Sequence, residues 1–276
     1  MITKESIQFF QGKSLNRGDN FLYLSPHFLL QPYIANYTIS FPTPQTMPDE
    51  YTVLPTASST LTISVNADTI ISGLRGVNTK SCNVGSHANK MKLLLLIEFH
   101  PGGLFPFIPI DQIELVDTSF KLDELDKIFT KTLENELVQS MSVENLIETL
   151  NRIFLTRLTE SKTNMSVLDM MQVIVRQHGN ISAKELSSEY YYSEKQIRRL
   201  FLRYVGTSPK MFSRIARTNY ALRLLQRNSD YLTDIAVQSG YFDQPHFIHD
   251  FRRVCGLTPQ DYLRNMSVFY NDRFKM

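Results

Sequence analysis

The chain has 276 residues, enough for two domains with cores of their own, and its 29 Lys and Arg nearly balance its 27 Asp and Glu. Two cysteines, Cys82 and Cys255, exclude a disulfide framework and a cysteine metal site, and fit a reducing cytoplasm. The longest apolar run, Leu93–Ile97, is too short to span a bilayer, and the N-terminus lacks the apolar core of a signal peptide, so no membrane partner is expected.

The first twenty residues are polar with little periodicity and read as a loose arm. Extended segments follow at Tyr33–Phe41 and Tyr51–Leu54, separated by a loop with three prolines, FPTPQTMPDE. Leu61, Ile63 and Val65 alternate with Thr62, Ser64 and Asn66, the pattern of a half-buried strand, and Thr69–Ser72 can pair with it across Ala67-Asp68. The run KLLLLIEF at Lys92–Phe99 is too short for a good helix and predicts a strand buried on both faces. Up to Phe99 the chain therefore reads as a small, mainly antiparallel β domain, with Asp111–Thr118 a short extended or turn segment leading to helices.

From Leu122 the period becomes helical. Leu122, Leu125, Ile128, Phe129, Leu133 and Leu137 keep one stripe, and Ser142 with Asn145 opens a second helix carrying Leu146, Leu150, Ile153, Phe154 and Leu158. Part of each stripe packs on the β domain; a second apolar edge would serve as a subunit interface. The polar segment ESKTNMS, Glu160–Ser166, reads as the linker to the C-terminal part.

Beyond the linker the chain aligns with itself at a shift of fifty. Leu186 falls on Ala236, Ser193 on Asp243, Ile197 on Phe247, Phe201 on Phe251, Gly206 on Gly256, Pro209 on Pro259 and Phe212 on Tyr262. In the first copy Ser182 with Glu185, and Ser193 with Gln196, have capping-box spacing for two successive helices. In the second, Gly240 ends one helix, Asp243 caps the next and Pro245 sits in its first turn. Tyr190 stands where the second copy has Gly240. Ile197, Leu200, Phe201 and Tyr204 fill an inner face, while Lys195, Arg198, Arg199 and Leu202 fill the outer one; Phe247, Phe251 and Val254 lie opposite Pro245, His249, Arg252 and Arg253. Two short helices, a tight turn and a basic outer face describe a helix-turn-helix, here twice. From Ser166 on there are 16 Lys and Arg against 10 Asp and Glu; before it, 13 against 17. The positive part is the one that would release counterions from DNA.

These residues resemble the DNA-binding domain of AraC/XylS-type transcription regulators. The matching run is Arg217, Ala221, Leu224 and Leu225, then Ile235, Ala236, Gly240 and Tyr241, then His246, Phe247, Phe251, Arg252, Gly256, Thr258, Pro259 and Tyr262. The resemblance implies seven helices, two units joined by a long helix at about 209–226, and reading helices in successive major grooves. By position it implies a DNA-facing set of Lys195, Gln196, Arg198 and Arg199 in the first unit, and Gln244, Pro245, His249 and Arg252 in the second. Pro245 offers no side-chain hydrogen bond, and His249 stands where Arg is frequent, so the second unit is expected to hold phosphate more than bases.

The β domain more weakly resembles the regulators' cupin-like sensor modules, through Gln31-Pro32-Tyr33-Ile34, Leu54-Pro55 and Phe99-His100-Pro101-Gly102-Gly103. The fold class expected is α+β, with domains 1–120 (β-rich, regulatory), 121–160 (helical pair, dimerising) and 165–266 (DNA-binding). Expected partners are double-stranded DNA and a second copy of the chain, with a small-molecule effector and RNA polymerase as candidates. No cofactor is expected. The alternative is a metal-dependent cupin-type enzyme with a DNA-binding appendage, using Glu98, His100 and His87 as ligands; scattered spacing makes satisfied histidines the better reading.

Overall fold

A computed structural model of the chain describes residues 1–66, 69–159, 165–227 and 231–265. Its fold is α+β: an antiparallel sheet domain, then helices, as the sequence predicts. The main sheet has seven strands, β1 (Asn16–Gly18), β2 (Phe21–Leu24), β3 (Ile34–Ser40), β5 (Thr60–Val65), β6 (Ile70–Arg75), β8 (Leu93–Phe99) and β9 (Ser119–Lys121), in the order β1-β2-β3-β8-β5-β6-β9. A separate ribbon pairs β4 (Thr52–Val53) with β7 (Cys82–Asn83). Strand β9 carries the sheet past Phe99, where the sequence predicts its end.

The first residues are not the loose arm their polarity predicts. Thr3 caps the helix α1 (Lys4–Gln8), and Ile2, Ile7 and Phe10 are buried in the core. Three apolar residues are too few to show a period, yet burying them offsets the entropy of ordering the segment.

Alternation on the central strands gives the sheet two faces. Leu61, Ile63 and Val65 point into a core shared with α4 (Lys127–Gln139) and α5 (Val143–Thr159). Phe154 of α5 anchors that core, with the rings of Tyr37, Phe99, Phe107 and Phe129 around it at centroid distances of 5.0–6.4 Å. Thr60, Thr62 and Ser64 point the other way, into a cavity of about 570 Å³ that is also lined by residues of the β4–β7 ribbon and of the short helix α2 (Gly85–Ala88). The stripe predicted from Leu122 is broken. The one-turn helix α3 (Leu122–Leu125) stops at Asp126, which caps α4 by accepting from the Phe129 N–H at 2.9 Å and binds Arg157. The break rotates Ile128 outward, 81% exposed.

Among the described residues seven helices follow: α6 (Met165–Arg176), α7 (Ala183–Tyr190), α8 (Glu194–Val205), α9 (Pro209–Arg227), α10 (Leu232–Gln238), α11 (Gln244–Cys255) and α12 (Pro259–Asn265). Of the predicted linker, 160–164 lies outside the described residues, and Met165 and Ser166 belong to α6.

Candidate nucleic-acid interface

The first unit is α7, a tight turn and α8. Ser182 and Ser193 each complete a capping box: Ser193 Oγ accepts from the Gln196 N–H at 3.3 Å, and Gln196 Oε1 accepts from the Ser193 N–H at 2.9 Å. Ser187 Oγ closes the turn by donating to the Tyr192 carbonyl at 2.6 Å. The fifty-residue alignment slips here. The left-handed residue is Tyr191 (φ +57°), one place after the position that aligns with Gly240. An L-residue with a Cβ costs about 1–2 kcal/mol in that conformation, and Tyr191 recovers little by packing, being 96% exposed.

Helix α8 buries Ile197, Phe201 and Val205 and turns Lys195, Arg198 and Arg199 to solvent. Those three cations make no hydrogen bond or ion pair among the described residues. Gln196 is exposed beside them, but its carbonyl is engaged in the capping box, leaving only its NH₂ to donate outward.

The second unit is α10, the turn at Gly240 and α11. Gly240 is left-handed (φ +79°), a conformation that favours glycine, and a Cβ there would also lie 2.4 Å from Asn180 Oδ1 in the turn before α7, so that side chain would have to shift. Asp243 caps α11 by accepting from the His246 N–H at 2.8 Å. Pro245, His249 and Arg252 are exposed on the outer face. Gln244 is half-buried, and its Oε1 accepts from Thr233 Oγ1 at 2.8 Å. The bidentate pattern that reads adenine needs that oxygen and the NH₂ together, so to read adenine Gln244 Oε1 would have to use its remaining lone pair. His249 Nδ1 lies 3.8 Å from Asp250 Oδ1, a buried carboxylate that accepts from Arg214 Nε of α9 at 3.2 Å.

Helix α9 ties the units together. Phe212 packs on Phe201 of α8 with ring centroids 5.9 Å apart. Arg217 Nη2 donates to the Gly179 carbonyl at 2.9 Å in the turn that opens the first unit, and its guanidinium lies 5.4 Å from the Tyr241 ring of the second. Gln226 Nε2 donates to Tyr262 Oη at 2.6 Å. Burial pushes the Tyr241 and Tyr262 hydroxyls up to about 12 and raises the Cys255 thiol further, so these groups stay protonated.

Sequence reasoning missed the contacts that the β domain makes with both candidate reading helices. Arg203, near the C-terminal end of α8, pairs with Asp111 at 3.2 Å, and Tyr204 packs on Phe105 at 4.3 Å. Gly206 (φ +77°) ends α8 so close to the 3-10 turn Gln112–Leu115 that a Cβ would sit 2.8 Å from the Gln112 carbonyl oxygen. At the end of α11, Ser81 Oγ donates to the Cys255 carbonyl. Asn219 Nδ2 of α9 donates to the Pro55 carbonyl at 2.9 Å. No local pattern encodes such pairs.

The trio Glu98, His100 and His87 does not assemble. Glu98 and His87 line the β-domain cavity, whereas His100 lies past the end of β8 in a crevice with Leu168, Met171 and Phe212 of the helical part. Among the described residues no group of three or more His, Cys, Asp or Glu is placed to hold a metal ion, and no helix is long and apolar enough to cross a membrane.

Comparison with known proteins places a family model described as a helix-turn-helix domain on residues 186–265. The chain is 27% identical over 167 residues to the "Probable transcriptional regulator LumQ" of Photobacterium leiognathi, covering 57% of this chain and 67% of that protein. It is 33% identical over 91 residues to the HTH-type transcriptional regulator YidL of Escherichia coli, covering 33% of this chain and only 31% of that one. Among solved structures, a probable AraC family transcriptional regulator from Rhodopseudomonas palustris matches 37% of this chain and 96% of its own, at 25% identity and a TM-score of 0.33.

Proposed function

We propose that this chain, whose residues 186–265 are a helix-turn-helix domain of the AraC type, is a sequence-specific DNA-binding regulator of transcription. One observation carries the reading. Two helices of like packing, α8 and α11, are fastened to one long helix by their inner faces and carry basic outer faces, the first with three cations unpaired among the described residues. An unpaired guanidinium or ammonium on an exposed helix face gains most by meeting phosphate or a guanine edge. Lys195, Arg198 and Arg199 are the base- and phosphate-facing set of the first unit. In the second, Arg252 and His249 hold phosphate, and Gln244, its Oε1 already bonded to Thr233, offers its NH₂ to a base.

The β domain is the regulatory module of this reading. Asn78 Nδ2 donates to the Leu54 carbonyl at 2.9 Å, and Asn78 Oδ1 accepts from the Thr56 N–H at 3.1 Å. Asn78 and Thr56 line the cavity, and their neighbours Ser81 and Pro55 touch α11 and α9. An effector that binds better to one placement of these segments than another biases how the reading helices are held. Exposed Ile128, Val138 and Met141 on and after α4 support a homodimer through that helix. RNA polymerase is the partner through which such a cytoplasmic regulator acts.

The test is fluorescence anisotropy with a labelled duplex pool at two salt concentrations. Affinity should fall steeply with salt, and a Lys195→Gln, Arg198→Gln, Arg199→Gln triple variant should lose most of it. Wild-type affinity and salt slope in that variant would contradict the proposal.

A further inference from the structure

Pairing register lines up one polar row across five strands. Asn36 of β3 is opposite Glu98 of β8, Glu98 is opposite Thr60 of β5, Thr60 is opposite Arg75 of β6, and Arg75 is opposite Ser119 of β9. Glu98, Thr60, Arg75 and Ser119 all line the 570 Å³ cavity. The neighbouring rows, Leu96–Thr62–Gly73 and Leu94–Ser64–Ile71, are more apolar.

Two features of this row are chemically specific. Glu98 is 4% exposed and accepts from Asn36 Nδ2 at 3.1 Å, so a buried carboxylate faces the cavity. The Arg75 side chain is half-buried on the same wall and makes no hydrogen bond or ion pair among the described residues. Opposite charges thus stand with one strand between them, about 10 Å apart at their Cα atoms by ordinary strand spacing, without meeting. Holding a partly desolvated guanidinium unpaired beside a buried carboxylate is costly by itself and favourable once a ligand bridges them.

We propose that the cavity binds a small amino-acid-like zwitterion with an apolar side chain. Its carboxylate sits on the Arg75 fork, its ammonium on Glu98 with Thr60 between, and its side chain against Leu94, Leu96 and Ile71. A plain carboxylate would bring its charge toward Glu98. A plain amine would leave Arg75 unmet, and a phosphate would find a single guanidinium. This assignment rests on the reading of the β domain as an effector module.

The experiment is isothermal titration of the full chain with L-leucine, L-phenylalanine and L-leucyl-L-leucine. Their single-charge analogues serve as controls: 4-methylpentanoate and isopentylamine, 3-phenylpropionate and phenethylamine. At least one zwitterion should bind about tenfold or more tighter than either analogue, as expected for a charge-assisted bond gained. Arg75→Met and Glu98→Gln should each lose about tenfold, and Arg75→Lys less. Melting of each variant reports folding, and Glu98→Gln keeps an acceptor for Asn36. Zwitterions that bind no tighter than their analogues, that bind equally to Arg75→Met, or that do not bind overturn the proposal. DNA affinity measured with and without each probe separates the two readings. A zwitterion that binds without altering DNA affinity removes the effector reading and keeps the ligand class; a single-charge analogue that binds better and does alter it does the reverse.

Discussion

Replacing Phe251 with Ala tests how the second unit is held. The ring is fully buried in α11, edge-on to Phe247 at 5.6 Å and to Tyr262 of α12 at 6.2 Å. Deleting a buried aromatic costs about 3–5 kcal/mol, of which each edge-on pair contributes about 0.5–1.5 kcal/mol. Against a total of about 5–15 kcal/mol for a domain, that is about a fifth or more of what is available. With about 4–8 °C lost per kcal/mol in a region the size of α6–α12, the melting temperature should drop by at least ~12 °C. Circular dichroism melts of the full chain and of Phe251→Leu measure it, the leucine variant falling between. An alanine variant melting within about 2 °C of the unmodified chain would refute the packing described, since no surface ring contributes that much.

Four smaller perturbations rest on the same geometry. Arg198→Ala or Arg199→Ala should cost about 1–3 kcal/mol of DNA affinity and relax preference at one base pair; an equal loss on every sequence would mean a phosphate contact. Tyr191→Gly removes a left-handed Cβ worth about 1–2 kcal/mol but adds unfolded-state freedom worth about 0.5–1 kcal/mol, so the denaturant midpoint should rise slightly; a lower midpoint would show that Tyr191 packs in the fold after all. Ser193→Ala should destabilise by about 1 kcal/mol through the lost cap of α8, read from the same denaturation curves. Burial holds the His100 imidazole below its ordinary range. The unfolded chain therefore takes up the proton first, near pH 6.5, and stability is whole above that pH and lost as the pH falls below it. His100→Gln should flatten the stability–pH curve below about pH 6.5, and an unaltered slope would sink the assignment.

Much of the helical part was legible because its rules are local. Ser182, Ser193 and Asp243 cap the helices they precede, and the repeat at fifty orders the helices correctly. The slip at Tyr191 was hidden because a left-handed residue is sought first at glycine, and here tyrosine takes the conformation. In the β domain the alternation at Leu61–Val65 and the run at Leu93–Phe99 announce strands. The short strands Phe21–Leu24 and Ser119–Lys121 do not, since four and three residues carry no period. His100 does not share a strand face with Glu98, because the strand ends at Phe99. The row Glu98–Thr60–Arg75 depends on pairing between strands distant in sequence, and so do the contacts of Asp111 and Ser81 with the ends of α8 and α11. The hydroxyls at Thr60, Thr62 and Ser64 were the one local sign that this sheet face meets a polar space.

Whether α8 and α11 read DNA together from one rigid frame is tested most directly by selection. Duplexes bound by the purified chain are recovered from a random-sequence pool and sequenced. The expected outcome is a strong element for the first unit and a weaker one about one helical turn away for the second. Salt-sensitive binding with no enriched sequence would contradict it, leaving a basic surface that holds DNA without reading it.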